Sequence, residues 1–153
     1  MSAIAADTKL ETPEGPITAK TVLKSPTAVM TRTDDGAIRF AMTTPGETTP
    51  AQPVLRITLE NGKSFVVGRA QILLRKGMAP VAASDLRPGD RLEAVFVFPA
   101  GYVYKTDAGA EVESDGMIGV VAVEPAGEAD VHAMAVARTG RFAFSAGALG
   151  VAD

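Results

Sequence analysis

Val54-Leu55-Arg56-Ile57-Thr58-Leu59, then Asn61-Gly62, then Ser64-Phe65-Val66-Val67 sets two β-type runs on either side of a turn signal. Leu55, Ile57 and Leu59 alternate with Arg56 and Thr58, so a strand here has one apolar face and one wet face. Asn-Gly supplies positive φ at little cost, which suits a tight hairpin turn. Outward from this hairpin the same grammar recurs. Asp34-Asp35-Gly36 between Val29–Thr33 and Ala37–Phe40 reads as a second hairpin. Arg87-Pro88-Gly89-Asp90 is a turn, with Pro presetting φ and Gly accepting a positive one. It leads into Arg91–Phe98, an expected strand, and Ala82–Leu86 is expected to make one helical turn before it. Further strands are expected at Met117–Val123, at Val131–Ala137 and near Phe142–Phe144. Thr43–Pro53 is polar and punctuated by proline and is expected to be a loop; Lys105–Gly116 carries several charges and Gly109 and is expected to be an exposed loop at a hairpin end. Fifteen Gly and ten Pro spread along the chain favour many turns and short strands. No repeat of solenoid or propeller period is visible. The expectation is one all-β domain over residues 1–153.

Composition excludes several chemistries. The 153 residues suit one domain with a real core. Cys is absent, which removes disulfides, thiolate nucleophiles and Cys-ligated metals. The one histidine, His132, makes no metal site on its own, so no metal and no cofactor are expected. Net charge is −3, with 15 basic and 18 acidic residues interspersed, and no basic stripe points to nucleic acid. Met1–Asp7 lacks the basic and apolar regions of a secretory signal. The longest apolar stretch, Ala94–Tyr104, contains Pro99 and Gly101 and is too short to cross a bilayer. A soluble protein, cytoplasmic or part of a virion and with no membrane partner, is expected. Phosphate-binding glycine loops and a serine-hydrolase elbow are absent.

Three separated segments carry a resemblance. The start reads Ala3-Ile4-Ala5-Ala6-Asp7-Thr8, with Leu10–Gly15 after it. The middle reads Asn61–Gln71, followed by Ser84-Asp85-Leu86-Arg87-Pro88-Gly89-Asp90. The end reads Ala129-Asp130-Val131-His132-Ala133-Met134-Ala135-Val136 and closes on Gly147–Ala152. In order and spacing this resembles the Hint domain shared by inteins and the Hedgehog autoprocessing module. The resemblance spans nearly the whole chain, and it implies a horseshoe of bent antiparallel strands with two related halves and neighbouring chain ends.

The resemblance also implies where reactive groups belong. The leading Cys or Ser nucleophile of the family corresponds to Ala3, whose methyl group forms no ester or thioester. Ser2 is one residue away, on the opposite face of an extended strand. The family's Thr-x-x-His set corresponds to Gly68 and Gln71, and an amide exchanges no proton near neutral pH. An Asp or Cys of the penultimate strand corresponds to Ala133. The closing His-Asn pair corresponds to Val151-Ala152. With two residues before Ala3 and one after Ala152, no flanking segments are expected to be joined. The expectation is that no catalytic residue remains, so that the chain is not an enzyme and Ala3, Gly68, Gln71, Ala133, Val151 and Ala152 are vestigial.

Other candidates carry less chemistry. His132 in an alternating strand is expected to be a half-buried packing residue. Asp85 and Asp90 are expected to hold turn hydrogen bonds. Arg69, Arg75 and Lys76 form a small cationic cluster, expected to be solvated surface. Phe96, Phe98, Tyr102 and Tyr104 are expected to be mostly core, with an exposed subset as a contact patch. With Arg69 and Arg75 they make the candidate interaction surface. The expected function is a non-catalytic structural or interaction module, a subunit of a multi-copy assembly such as a phage particle, with other protein subunits as partners. Two alternatives are a divergent self-cleaving domain using Ser2, and a small-ligand binder using the vacated cleft.

Overall fold

A computed structural model describes residues 2–153. The chain runs through β1 (Ile4–Ala5), β2 (Lys9–Thr12) and β3 (Gly15–Thr18), then a single helical turn, α1 (Ala19–Val22). β4 (Ala28–Arg32) precedes the long β5 (Ile38–Leu59), and β6 (Ser64–Gly68), β7 (Ile72–Arg75) and β8 (Ala79–Ala82) follow. Next come β9 (Arg91–Glu93), the small hairpin β10 (Val103–Lys105) and β11 (Glu111–Glu113), and a second long strand, β12 (Met117–Val136). β13 (Arg141–Ala143) and β14 (Leu149–Val151) come last. The expected all-β architecture is the observed one.

The β5–β6 hairpin pairs Val54 with Gly68 and Thr58 with Ser64. Leu55, Ile57 and Leu59 are buried while Arg56 is exposed, as the alternation requires. The tight connection is three residues long, from Glu60 to Gly62. Gly62 alone takes a positive φ, and Lys63 C=O accepts from Leu59 N–H at 2.8 Å. A turn followed by a left-handed glycine closes a hairpin of this length. Asn61 is then free to donate its side-chain amide to Ala146 C=O at 2.8 Å.

β5 and β12 lie antiparallel along most of their length, from Leu59↔Val120 to Thr43↔Val136. Two expectations are corrected here. Thr43–Pro53 is not a loop but part of β5, and Met117–Val123 and Val131–Ala137 are not separate strands but the two ends of β12. Proline's φ lies in the extended region, and it costs a ladder bond only where the partner asks for its N–H. The ribbon accommodates this by shifting register, and Pro50 and Ala51 fall in such a shift, between Gln52↔Ala129 and Thr49↔Val131. Ala51 takes φ +52° there, as a bulge residue does. The two long strands also depart from the short strands that the Gly/Pro distribution suggested.

Arg91–Phe98 is corrected as well. Its ladder stops at Glu93, after which Val95 N–H reaches Gly147 C=O at 2.8 Å and Phe96 turns out with φ +60°. No strand continues opposite Val97, so alternation alone does not hold the segment in a sheet. Lys105–Gly116 does lie at a hairpin end: β10 pairs with β11, and residues 106–110 make the connecting loop. The expected turn near Ala82–Leu86 is a 3₁₀ turn at Ala83–Asp85.

The main sheet runs β13-β14-β7-β9-β12-β1-β6-β5-β4, with β8 beside β7. One apolar core joins its two sides through Ile4, Leu10, Ile57, Leu73, Met134 and Phe144. Full burial of each such side chain contributes about 1.5–3 kcal/mol. Phe65 stacks on Phe144 at 4.3 Å, and Phe142 meets Phe144 edge-on at 5.0 Å. Gly150 makes this aromatic cluster fit, since a Cβ there would lie 2.5 Å from the Phe142 ring.

Candidate functional site

β1 is two residues long yet paired on both sides. Ile4 faces Val67 of β6 and His132 of β12. Continuing that register by one residue places Ala3 beside Gly68 and Ala133. Ala3 C=O accepts from Gly68 N–H at 2.7 Å. A Cβ on Gly68 would meet the Ala3 methyl at 2.8 Å, so the two backbones approach more closely than any side chain at position 68 permits.

Gln71 lies at the centre, completely buried. Its Oε1 accepts from Ala3 N–H at 2.7 Å. Its Nε2 donates to Ile72 C=O at 2.9 Å and to Val151 C=O at 3.0 Å. Ala152 N–H donates to Gly140 C=O at 2.8 Å. Gln71 thus bonds Ala3, Val151 and, through its own N–H, Gly68 C=O, while Ala133 lies beside Ala3 and Ala152 follows Val151. Its bonds join the β1 end of the chain to the β14 end. A carboxamide so engaged keeps three backbone groups from being buried unpaired.

Ser2 and Asp153 extend the junction, and sequence reasoning missed their pairing. Ser2 is 2 % exposed, and its Oγ accepts from Met134 N–H at 2.8 Å. The same hydroxyl donates to the Asp153 carboxylate at 2.9 Å, which also accepts from the Ser2 N–H. Asp153 N–H reaches Met134 C=O at 2.8 Å. Both ends of the chain are therefore anchored on one residue of β12. Ser2 does turn away from the Ala3 side, but no pattern in the sequence links it to Asp153, which lies 151 positions away.

The remaining candidates scatter. Phe96 and Phe98 are exposed, as is Tyr102, while Tyr104 is half-buried, so these aromatics are not core as expected. Phe98 instead stacks on Tyr102 at 4.7 Å and leans on Tyr104 at 5.0 Å, a surface cluster built around the β10–β11 hairpin. Arg69, Arg75 and Lys76 do not act as one cluster. Arg69 follows Gly68 at the junction, whereas Arg75 at the far end of β7 pairs with Asp90 at 3.1 Å. Asp90 also holds its turn by accepting from Arg87 N–H at 2.9 Å, while the Asp85 side chain makes no such bond among the described residues. His132 is half-buried, with Nδ1 2.8 Å from the Thr48 hydroxyl. Sequence reasoning also missed Arg91, clamped between Glu60 and Asp115. The Arg91 guanidinium holds the Asp115 carboxyl below the usual carboxylate range, and Asp115 in turn pushes Arg91 up. Among the described residues no group of His, Asp and Glu is arranged to hold a metal ion. No helix is long and apolar enough to cross a membrane.

Four surface clefts are lined by residues other than Ala3, Gly68, Gln71, Ala133, Val151 and Ala152, and Gln71 at the junction has no exposure to solvent.

No protein-family model matches the sequence, and no curated protein matches it. Solved structures do match. A DnaB intein from Synechocystis sp. PCC 6803 superimposes with a TM-score of 0.76 at 11 % identity, covering 100 % of this chain and 99 % of the other. The gp41-1 intein gives 0.66 at 14 % identity, covering 99 % and 98 %. The MchDnaB-1 intein gives 0.71 at 17 %, covering 97 % and 99 %. At such identities the likeness speaks for the backbone alone, and from end to end that backbone is similar to the all-β, Hint-like horseshoe of the inteins.

Proposed function

We propose that this chain is a non-catalytic structural or interaction module built on an intein-like scaffold, working as a subunit of a larger protein assembly. Gln71 carries the reading. The position that the family resemblance assigns to a proton-transferring imidazole holds a buried carboxamide, and its bonds to Ala3, Ile72 and Val151 staple the chain ends. Ala3 next to it has no nucleophilic atom, and a thiol or hydroxyl is what covalent peptide rearrangement needs. The exposed aromatic cluster of Phe96, Phe98 and Tyr102 supports a docking role, since grouped surface aromatics are typical anchors of protein interfaces.

One observation favours a second reading, a divergent self-cleaving domain. The Ser2 hydroxyl lies 2.9 Å from the Asp153 carboxylate, a potential nucleophile beside a potential base. Against it, the same oxygen is buried and engaged by the Met134 backbone. One experiment separates the two. The chain is fused between two inert carrier domains and followed by intact-mass spectrometry. The module reading expects the mass to stay constant; cleavage or ligation that Ser2→Ala abolishes establishes the alternative.

A further inference from the structure

We propose that the cleft between the Ala5–Lys9 segment and the β5–β6 hairpin binds a small organic anion with an apolar stem. The cleft has a volume of about 680 Å³, in the range of small-molecule sites. The apolar surface it presents comes from the half-buried Val66, Ala126 and Ala129, which lie over the buried Val54 and Phe65. Lys9, Arg56 and Lys63 stand around it. Among the described residues none of these three has an ion-pair partner. The one carboxylate in the lining, Asp7, is neutralised by Lys20 at 2.7 Å. Glu124, opposite Arg56 across the strands without an ion pair, and Asp130, which accepts from Ala51 N–H at 3.2 Å, offset part of this charge.

The chain as a whole is acidic, at −3, whereas three cations without ion-pair partners around one concavity leave a local excess of positive charge. A low-dielectric wall strengthens the attraction of such charges for an anion relative to a flat wet surface. The two halves of the cleft ask for different parts of one molecule. A neutral apolar compound leaves the cations unmatched, and a bare inorganic anion leaves the apolar surface of Val66, Ala126 and Ala129 in water. This site is separate from the Gln71 junction and does not depend on whether that junction is inert.

Calorimetric titration of the whole chain with monomeric octyl phosphate tests the assignment, with octanol and inorganic phosphate as controls. Saturable one-to-one binding is expected, weakening as salt rises, with both controls at least about ten-fold weaker. Arg56→Gln with Lys63→Gln should reduce affinity about ten-fold or more, and Arg56→Lys with Lys63→Arg should restore it. Both side chains are exposed, so folding of the variants is verified by circular dichroism. Equal affinity of the charge-neutralised and native chains overturns the proposal, as does a lack of saturation at millimolar ligand. Attachment to phosphatidylglycerol vesicles without binding of monomeric octyl phosphate overturns it too.

Discussion

At the scale of single residues, Gln71 is the clearest case of a side chain whose role is set by where its bonds go. Gln71→Leu keeps the volume but leaves Ala3 N–H and Val151 C=O buried without their partner. Each orphaned group costs about 1–3 kcal/mol, so urea denaturation should show a loss of about 3 kcal/mol in this variant. Ser145 is the opposite case, because its Oγ is shut off from water with no partner among the described residues. Ser145→Ala should leave the urea midpoint unchanged or raise it, and a clear drop would mean that the hydroxyl is bonded after all. Phe96 joins strain to exposure, with φ +60° on a bulky residue that is 62 % exposed. A left-handed conformation costs a non-glycine residue about 1–2 kcal/mol. Phe96→Gly should therefore fold at least as stably as the native chain, while weakening any interaction through the aromatic cluster. A thermal melt beside a pull-down of native partners measures the two effects separately.

Among the elements, the β5–β12 ribbon shows why alternation and composition predict strands better than they predict where strands end. Leu55-Arg56-Ile57-Thr58-Leu59 announces its strand through burial on one face. Thr43–Pro53 lacks that signal because most of it is exposed on both faces, and it is held mainly by backbone pairing to β12. Such pairing leaves little trace in residue type, so its prolines argued for a loop. The Arg91–Phe98 error has the converse cause: a hydrophobic alternation whose ladder ends at Glu93, with only an isolated bridge at Ala94 and one bond at Val95 beyond it. β14 offers a sharp test of packing between elements. Gly150→Ala would drive a methyl into Phe142 and Phe144, and overpacking of this kind costs about 1–3 kcal/mol. A melt unchanged by this substitution would show that the aromatic cluster yields more readily than its contacts imply.

For the whole molecule, ion pairs tie distant parts of the surface together. Arg91 links the β5–β6 turn, β9 and the start of β12 through Glu60 and Asp115. The Asp115 carboxyl is held below its ordinary value by Arg91. A carboxyl depressed in the folded state adds stability that is fully present above its unfolded value. That contribution is lost as pH falls from about 4 through the folded value. Asp115→Asn should therefore lower stability at neutral pH, where the paired carboxylate contributes, and converge on the native chain below about pH 4, which flattens the acid limb of the stability–pH curve; the side chain is partly exposed, so the effect is modest. Sequence patterns by themselves determined the β class, the hairpins at Asn61-Gly62 and Asp35-Gly36, and the absence of thiol chemistry, because these follow from local periodicity, turn chemistry and composition. Which residues meet was decided only in three dimensions. Ala3, Gln71 and Val151 converge because β1 slots between β6 and β12 while β14 lies along β7. Ser2 finds Asp153 because both reach the backbone of Met134. Long-range closure of this kind depends on strand order and register, which no window of sequence contains.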